Sequence, residues 1–321
     1  MTTAPHRRDT PTDEAGFTIV ELLISVAILM IISGMMMRGT LDMTRLGAQQ
    51  ANRSEMHAGI RNATALLQQE VGQAGRVALP APVTMTNAIT GSATAQQATV
   101  SSVSQMFAGQ RLVVGVGGPD STQDAQEVVT VLGINPTTSR IQAVFVSNHI
   151  AGTAVRPAGG FAEGIVPPNM ANGSTDSVLK IVGDIGSDGN LMYVEYTCDW
   201  EDGRLYRNMM AYDAASKPAL TVEQILLDNL LPNPPDPNGT IPPCFTYEQQ
   251  TISGRTFVIN VAIMTTVRTD ERDQITGEFQ TVTKALLNVA PRNVYNVWQI
   301  ASLGYDNRIQ PLPGSVVTLL P

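Results

Sequence analysis

Two hydrophobic patterns follow each other in the N-terminal part of the chain, and both predict helix. The first is an apolar run from Gly16 to Met37 that contains one acid, Glu21. About 20 apolar residues, each rising about 1.5 Å, match a hydrocarbon core of about 30 Å, so the run predicts a membrane-spanning helix. The second pattern predicts an amphipathic continuation that ends near Gly75 and covers a sheet of the same chain. Its apolar residues recur mostly at helical spacing: Leu46, Met56, Ile60, Ala63, Leu67, Val71 and Ala74.

Beyond residue 110 the pattern changes to short runs rich in β-branched residues, which are typical of strands. EVVTVLGI and RIQAVFVS, joined by the turn-like NPTTS, predict one hairpin. LMYVEYTCDW and GRLYRNMM predict a second hairpin, with its turn at Glu201-Asp202-Gly203. TFVINVAIMTTVRT and FQTVTKALLNVA predict a long antiparallel hairpin nearer the C-terminus. A long helix followed by antiparallel strands places the chain in the α+β class.

Five other segments have less regular patterns. Residues 80–107 are rich in Ala, Thr, Ser and Gln with almost no charge, which predicts a surface excursion with one strand. Residues 151–175, rich in Gly, Pro and Asn, predict a long loop. The sequence LTVEQILLDNLL at 220–231 predicts a helix. DIGSDGN at 184–190 predicts a solvated turn, since it lacks the spacing of a calcium loop. The tail 291–321 is predicted to be peripheral.

Composition and charge narrow the function classes. The chain has 321 residues, of which 43% are hydrophobic and 15% are charged, so it is globular rather than disordered. The formal net charge is −8, and residues 1–79 carry equal numbers of acidic and basic side chains. The acidic excess therefore lies beyond residue 79. Because an acidic surface does not attract phosphate backbones, we expect no general nucleic-acid binding.

Only two cysteines occur, Cys198 and Cys244, and both lie far beyond the apolar run. This usage suits an oxidising compartment and one disulfide. Such a bond would stabilise the fold by roughly 3 to 5 kcal/mol in the chain-entropy model. Two unrelated buried thiols are the alternative.

Residues suited to catalysis or metal binding are scarce. No CxxC spacing is present and the histidines are only His6, His57 and His149, so we expect no zinc site. The sequence contains no nucleophile elbow and no phosphate-binding loop. His149 is the one remaining candidate base, and a histidine beside a strand end is more typical of a surface or turn position. We therefore expect no catalytic residue, no cofactor and no enzymatic activity.

Glu21 is the unusual residue of the apolar run. A carboxylate in hydrocarbon costs at least roughly 2.5 kcal/mol and is usually paired, yet the run contains no Lys or Arg. Cleavage after Gly16 would place the new α-amino group of Phe17 one helical turn before Glu21. The amine of a neighbouring copy would serve equally well. A secretory signal has a shorter apolar region with a small-residue cleavage site after it. Neither that signal nor a plain single-span anchor explains the Gly-Phe junction and the acid together.

The sequence GFTIVE followed by an apolar helix resembles the class III signal of type IV pilins and pseudopilins. The resemblance implies that a prepilin peptidase cuts after Gly16 and methylates Phe17, and that Glu21 guides subunits into a filament. It implies further partners in other pilin or pseudopilin subunits, the inner-membrane assembly platform and the membrane. Arg7 and Arg8 in the leader favour a cytoplasmic N-terminus. We therefore expect a bacterial inner-membrane protein with an exported head, which then enters a pilus or pseudopilus filament.

The resemblance also divides the chain. It implies a leader peptide at 1–16, a transmembrane or filament-core helix at 17–37, an amphipathic continuation at 38–79 and a β-rich head at 80–321. Within the head, the cysteines would close the region 198–244. The expected fold is a long N-terminal helix packed on an antiparallel β-sheet.

Two further segments are similar to PilW-type minor pilins. One is LLQQEVGQAGRV at 66–77, and the other is the last hairpin followed by Arg292-Asn293. This similarity implies a minor pilin subunit of a type IV pilus. J-type pseudopilins of type II secretion systems share the same layout and a similar size, so they are the alternative. A membrane-anchored binding protein or enzyme is the less favoured alternative.

Overall fold

A single helix, α1, forms the N-terminal part of the computed structural model, which describes residues 16–116, 124–274 and 276–321. Helix α1 runs from Ile19 to Gln73 without a break, which confirms the predicted continuation of the apolar run. The predicted leader, with Arg7 and Arg8, lies outside the described residues. The side chains that α1 buries lie in its C-terminal part: Ile60, Ala63, Thr64, Leu67, Glu70 and Val71.

Short strands make up most of the remaining regular structure. In chain order they are β1 (Val83–Thr84), β2 (Ala95–Thr99), β3 (Arg111–Val114), β4 (Glu127–Thr130), β5 (Gly133–Asn135), β6 (Arg140–Val144), β7 (Ala154–Pro157), β8 (Gly160–Phe161), β9 (Val178–Gly183), β10 (Met192–Asp199), β11 (Arg204–Ala211), β12 (Ile225–Leu227), β13 (Leu230–Leu231), β14 (Phe245–Ile252), β15 (Arg255–Arg268), β16 (Thr281–Val289) and β17 (Ile309–Gln310). Two further helices lie near the C-terminus: α2 (Arg292–Ser302) and α3 (Gly314–Leu319).

Two antiparallel sheets pack on the buried part of α1. One has the strand order β12-β11-β10-β9, and in the other β15 pairs with β13, β14 and β16. The predicted β10–β11 and β15–β16 hairpins are therefore confirmed. Apolar side chains from α1 and from both sheets form one core, which includes Leu67, Val71, Leu179, Val194, Leu205, Val258 and Val261. This long helix on antiparallel strands is the α+β, pilin-like architecture that the pattern predicted.

Strands β1 to β7 form a separate unit between α1 and β8, which we call the β1–β7 module. It contains two sheets, with the strand orders β1-β7-β3-β4 and β2-β6-β5. Its first and last strands pair through Val83 and Val155, so the chain enters and leaves the module at neighbouring points. Its buried apolar side chains form their own cluster: Val83, Met85, Ile89, Ala98, Val100, Met106, Leu112, Val114, Val129, Val131, Ile141, Ala143, Phe145 and Val155.

The structure of residues 80–161 corrects two predictions and confirms a third in part. Residues 80–107 are not a surface excursion, because the few apolar side chains between their polar neighbours are buried in the module core. The long loop predicted at 151–175 contains β7 and β8. The hairpin predicted across NPTTS is present, but only the end of the run EVVTVLGI takes part in it. The first half of the run, β4, pairs with β3, and only its end, β5, pairs with β6, because the chain crosses from one sheet to the other at Leu132.

The helix predicted at 220–231 is also wrong. Thr221 caps a single 3₁₀ turn, Val222–Gln224, and the chain then forms β12 and β13, which pair with different sheets. Asn229 has a positive φ of 57° between the two strands, which is incompatible with a continuous helix. Pairing with β11 and β15 decides the structure of this apolar sequence, and its helical spacing does not.

The C-terminal tail is integral to the head rather than peripheral. Helix α2 buries Val294 and Val297, and α3 buries Val316. Between these helices, the fully buried side chain of Gln310 hydrogen-bonds the backbone of Arg111 through both its amide oxygen and its amide nitrogen. The tail therefore joins the β1–β7 module to the rest of the head.

Candidate functional site

The predicted cleavage and methylation residues lie at the exposed start of the chain's described part. Gly16 and Phe17 precede α1, and 85% of the Phe17 surface is exposed. Apart from its chain neighbours, no described residue comes within 4 Å of the position that a Cβ on Gly16 would occupy. Among the described residues, the Gly16–Phe17 junction is therefore exposed.

Thr18 and Glu21 form a capping box at the first turn of α1. The Glu21 carboxylate accepts hydrogen bonds from the Thr18 backbone N–H and hydroxyl, both at 3.0 Å, while the Thr18 hydroxyl accepts from the Glu21 N–H at 3.3 Å. This pair was not predicted from the sequence, although Thr-x-x-Glu before an apolar run is its usual signal. These donors are neutral, so the box orients Glu21 without supplying a positive charge.

Helix α1 presents a long apolar surface that no other element of the described residues covers. It is long and apolar enough to cross a membrane, and none of the most apolar window is buried in the structure. The exposed large apolar side chains of this half are Ile19, Val20, Leu22, Leu23, Ile24, Val26, Ile28, Leu29, Met30, Ile31, Ile32, Met35, Met36, Met37, Leu41, Met43 and Leu46. Such a surface requires a bilayer or other subunits around it.

A buried polar network fastens the other half of α1 to the head. The side chain of Arg207, on β11, holds Glu70 in a two-point ion pair, with Nη2–Oε1 at 2.5 Å and Nε–Oε2 at 3.2 Å. The Tyr196 hydroxyl donates to the same carboxylate at 2.6 Å. Burial raises the pKa of Tyr196, and the charge of Glu70 raises it further. Although burial alone lowers the pKa of Arg207, its hydrogen bonds to Glu70 raise it overall.

The chain at Gly75, just after α1, packs closely against the backbone of the head. The Gly75 N–H donates to Val182, and its carbonyl accepts from Phe161. A Cβ on Gly164 would lie 2.3 Å from the Gly75 Cα, and Gly75 itself has a φ of +79°, which favours glycine. The Asn293 amide lies 3.3 to 3.4 Å from three terminal carbonyls of α1. The motifs QAG and Arg292-Asn293, which lie far apart in sequence, therefore meet at this junction.

Arg76, the residue after Gly75, links the end of α1 to the turn at 184–190, which was predicted to be solvated. Its side chain pairs with the fully buried Asp184 at 3.3 Å, which corrects the prediction for that residue. Asp184 also accepts the backbone N–H groups of Asp188 and Gly189, at 3.0 and 3.1 Å. The carboxylate is therefore used to close the turn and to hold the chain that follows α1.

Cys198 and Cys244 form a disulfide bond, as the cysteine count predicted. Both are buried; Cys198 lies on β10, and Cys244 directly precedes β14. The buried Asn233 amide donates to Pro242, Pro243 and Met264. The bond and this amide together hold the proline-rich segment between β13 and β14 against the sheets.

The remaining candidate residue, His149, is buried in the β1–β7 module rather than on the surface. Its ring contacts the carboxylates of Asp124 and Glu127, and neither the position nor these partners were predicted. Within the described part of the chain, no group of His, Cys, Asp and Glu side chains is arranged to hold a metal ion.

Comparison with known families identifies the N-terminal segment. Residues 12–37 match the prokaryotic N-terminal methylation motif, a prepilin-type signal that contains Gly16, Phe17 and Glu21. No curated protein matches the chain significantly. The motif and the long helix on antiparallel sheets together support a type IV pilin or pseudopilin-type protein that a prepilin peptidase processes, that a membrane anchors, and that assembles with other pilins.

Proposed function

We propose that this chain is a minor pilin subunit of a type IV pilus. It is anchored in a bacterial inner membrane with its N-terminus in the cytoplasm and its head exported, and it then enters or primes a filament. One observation carries the proposal: the methylation motif runs directly into a 55-residue helix whose first half is bare and whose second half is fastened to a head.

In this proposal each residue of the signal has a role. Prepilin peptidase cleaves after Gly16 and methylates Phe17. Glu21 then pairs with an α-amino group, either that of its own Phe17 or that of a neighbouring subunit, during assembly. The exposed Gly16–Phe17 junction supports the first role, and the capping box supports the second because the Thr18 donors that it gives Glu21 are neutral.

The choice of a PilW-type minor pilin over other pilin-like proteins is based on the junction between α1 and the head. The QAG sequence and Asn293, which resemble PilW-type minor pilins, meet at the end of α1, and this contact favours that subgroup. A J-type pseudopilin of a type II secretion system is the alternative. Genomic neighbours, or the copy number of the chain in sheared filaments, distinguish the two.

We propose a structural role rather than an enzymatic one. The signal and the bare helix are suited to polymerisation, and the inner-membrane assembly platform and other pilins are the expected partners. A membrane-anchored binding protein or enzyme would use the same helix only as a tether. Such a protein would remain in the membrane fraction and would be absent from sheared filaments.

Replacement of Glu21 by Ala tests the assembly role. We expect the Glu21→Ala chain to be processed and inserted in the membrane but missing from sheared filaments, because the carboxylate no longer meets an amine. Glu55→Ala is the matched control, since it removes an exposed acid from the same helix and should enter filaments normally. Incorporation of Glu21→Ala at the level of Glu55→Ala would remove the role assigned to Glu21.

A further inference from the structure

His149 is the centre of a buried charged cluster in the β1–β7 module. Only 1% of the residue is exposed. Its Nε2 lies 2.7 Å from the Glu127 Oε1, and its Nδ1 lies 3.4 Å from the Asp124 Oδ1. The Thr153 hydroxyl donates to the same Asp124 oxygen at 2.9 Å, and the edge of the ring faces Phe145. In the described part of the chain, Asp124 and Glu127 are the charged groups that face the ring.

The cluster holds the segment that connects β6 to β7, which belong to different sheets of the module. Glu127 accepts the backbone N–H groups of Val146 and Ser147, at 2.9 and 3.2 Å. The backbone of His149 exchanges two hydrogen bonds with Ile89, on the connection from β1 to β2. One side chain at the start of β4 and one histidine therefore fix the crossing between the two sheets.

Both ring nitrogens face carboxylate oxygens, and this geometry needs two N–H donors. Only the imidazolium form of histidine supplies both, because the neutral ring has one donor and one acceptor. In the neutral ring, one nitrogen lone pair would face a carboxylate oxygen: that of Asp124 at 3.4 Å if Nε2 keeps its proton, or that of Glu127 at 2.7 Å if Nδ1 keeps its proton. We propose that His149 is a pH-sensitive clamp, which closes the β6–β7 crossing when its ring is protonated and loosens the crossing when the ring is neutral.

The direction of the effect follows from the charges. Protonation of the ring closes the clamp and loss of one ring proton opens it, so a more acidic pH favours the closed form. Val146 and Ile150, two exposed apolar residues, lie on the segment that the clamp holds. Their presentation to a partner therefore changes with the pH outside the cell if the head is exported. The clamp itself rests on contacts within the module and not on the proposed function.

Amide hydrogen exchange tests the clamp in the full chain held in detergent micelles. After correction for intrinsic rates, Val146 and Ser147 should exchange about tenfold faster at about pH 8 than at about pH 5.5, the effect of losing one hydrogen bond to a charged group. In His149→Gln this difference should disappear, and in His57→Gln, which changes an exposed histidine on α1, it should remain. Equal exchange at both pH values in the unmodified chain, or the same difference in His149→Gln, would overturn the proposal.

A second measurement needs no variant and applies even if His149→Gln does not fold. The ¹⁵N chemical shifts of the imidazole in the unmodified protein report the proton on each ring nitrogen. Two protonated nitrogens on His149 at about pH 5.5 are the expected result. One unprotonated nitrogen under those conditions would contradict the clamp.

Discussion

The two halves of α1 carry similar apolar side chains in opposite surroundings. Leu29, in the first half, is 63% exposed, whereas Leu67, in the second half, is fully buried against the sheets. The first half begins with an exposed acid, Glu21, that hydrogen-bonds to Thr18, and the second contains a buried acid, Glu70, that is paired with Arg207 on β11. In one continuous helix, the second half is covered by sheets of the same chain, and the first half is exposed and available to a bilayer or to other subunits.

Because only the second half of α1 is buried within the chain, the two halves should contribute to different processes: the second to folding and the first to assembly. Burial of apolar area at about 25 cal/mol per Å² stabilises the second half within the monomer, while the first half gains nothing until a bilayer or another subunit covers it. Substitutions in the second half should therefore change the stability of the head. Substitutions in the first half should change insertion and assembly instead.

The largest expected effect comes from Glu70→Ala. It leaves the half-buried Arg207 and the buried Tyr196 hydroxyl without the carboxylate that pairs with them, and breaking a buried pair costs about 3–5 kcal/mol. Unfolding of the head in micelles, followed by near-ultraviolet circular dichroism, measures the loss. Glu55→Ala, on the exposed side of the same helix, is the control and should unfold like the unmodified chain. A loss below about 1 kcal/mol, the value of an exposed ion pair, would show that Glu70 does not fasten α1 to the head.

The same substitution at two leucines gives the next largest contrast. Leu67→Ala removes a fully buried side chain and should destabilise the head by about 2–5 kcal/mol. Leu29→Ala should change head stability by no more than about 0.5 kcal/mol. Equal losses at both positions, measured by the same unfolding assay, would mean that the first half also packs against the head.

The smallest expected effect, and one of opposite sign, comes from the glycines. A Cβ on Gly34 meets nothing within 4 Å, so Gly34→Ala should stabilise the bare half of the helix by about 1 kcal/mol. Gly164→Ala places its Cβ 2.3 Å from the Gly75 Cα and should destabilise the head by about 1–3 kcal/mol. Hydrogen exchange along α1 measures the first effect, and unfolding of the head measures the second. If Gly164→Ala slowed hydrogen exchange around Gly34 as much as Gly34→Ala does, the two glycines would not differ in the way expected.

Local sequence patterns predicted the elements whose structure is decided locally. The apolar run, the amphipathic stripe from Ile60 to Ala74 and the two hairpins with nearby partners all follow from residue spacing. The helix predicted at 220–231 was wrong because strands outside the segment pair with it. Residues of β11 pair with β12, and residues of β15 pair with β13. The prediction of a peripheral tail was wrong because Val294 and Val316 are buried by elements far earlier in the chain.

The buried charged groups were beyond the reach of sequence patterns. Glu70 and Tyr196 are 126 residues apart, and nothing near Glu70 distinguishes it from the exposed polar residues on the same helix. His149 is similar, since its two carboxylates, from Asp124 before β4 and Glu127 at the start of β4, lie 25 and 22 residues earlier in the sequence. The N-terminal signal was predicted because all of its residues are consecutive and its chemistry is local.

The central claim is that the bare half of α1 is a processed assembly helix. Intact-mass and N-terminal peptide mass spectrometry of the chain recovered from sheared filaments tests it most directly. We expect a mature chain that begins at N-methylated Phe17 and lacks residues 1–16. A filament-borne chain that still begins at Met1 would contradict it.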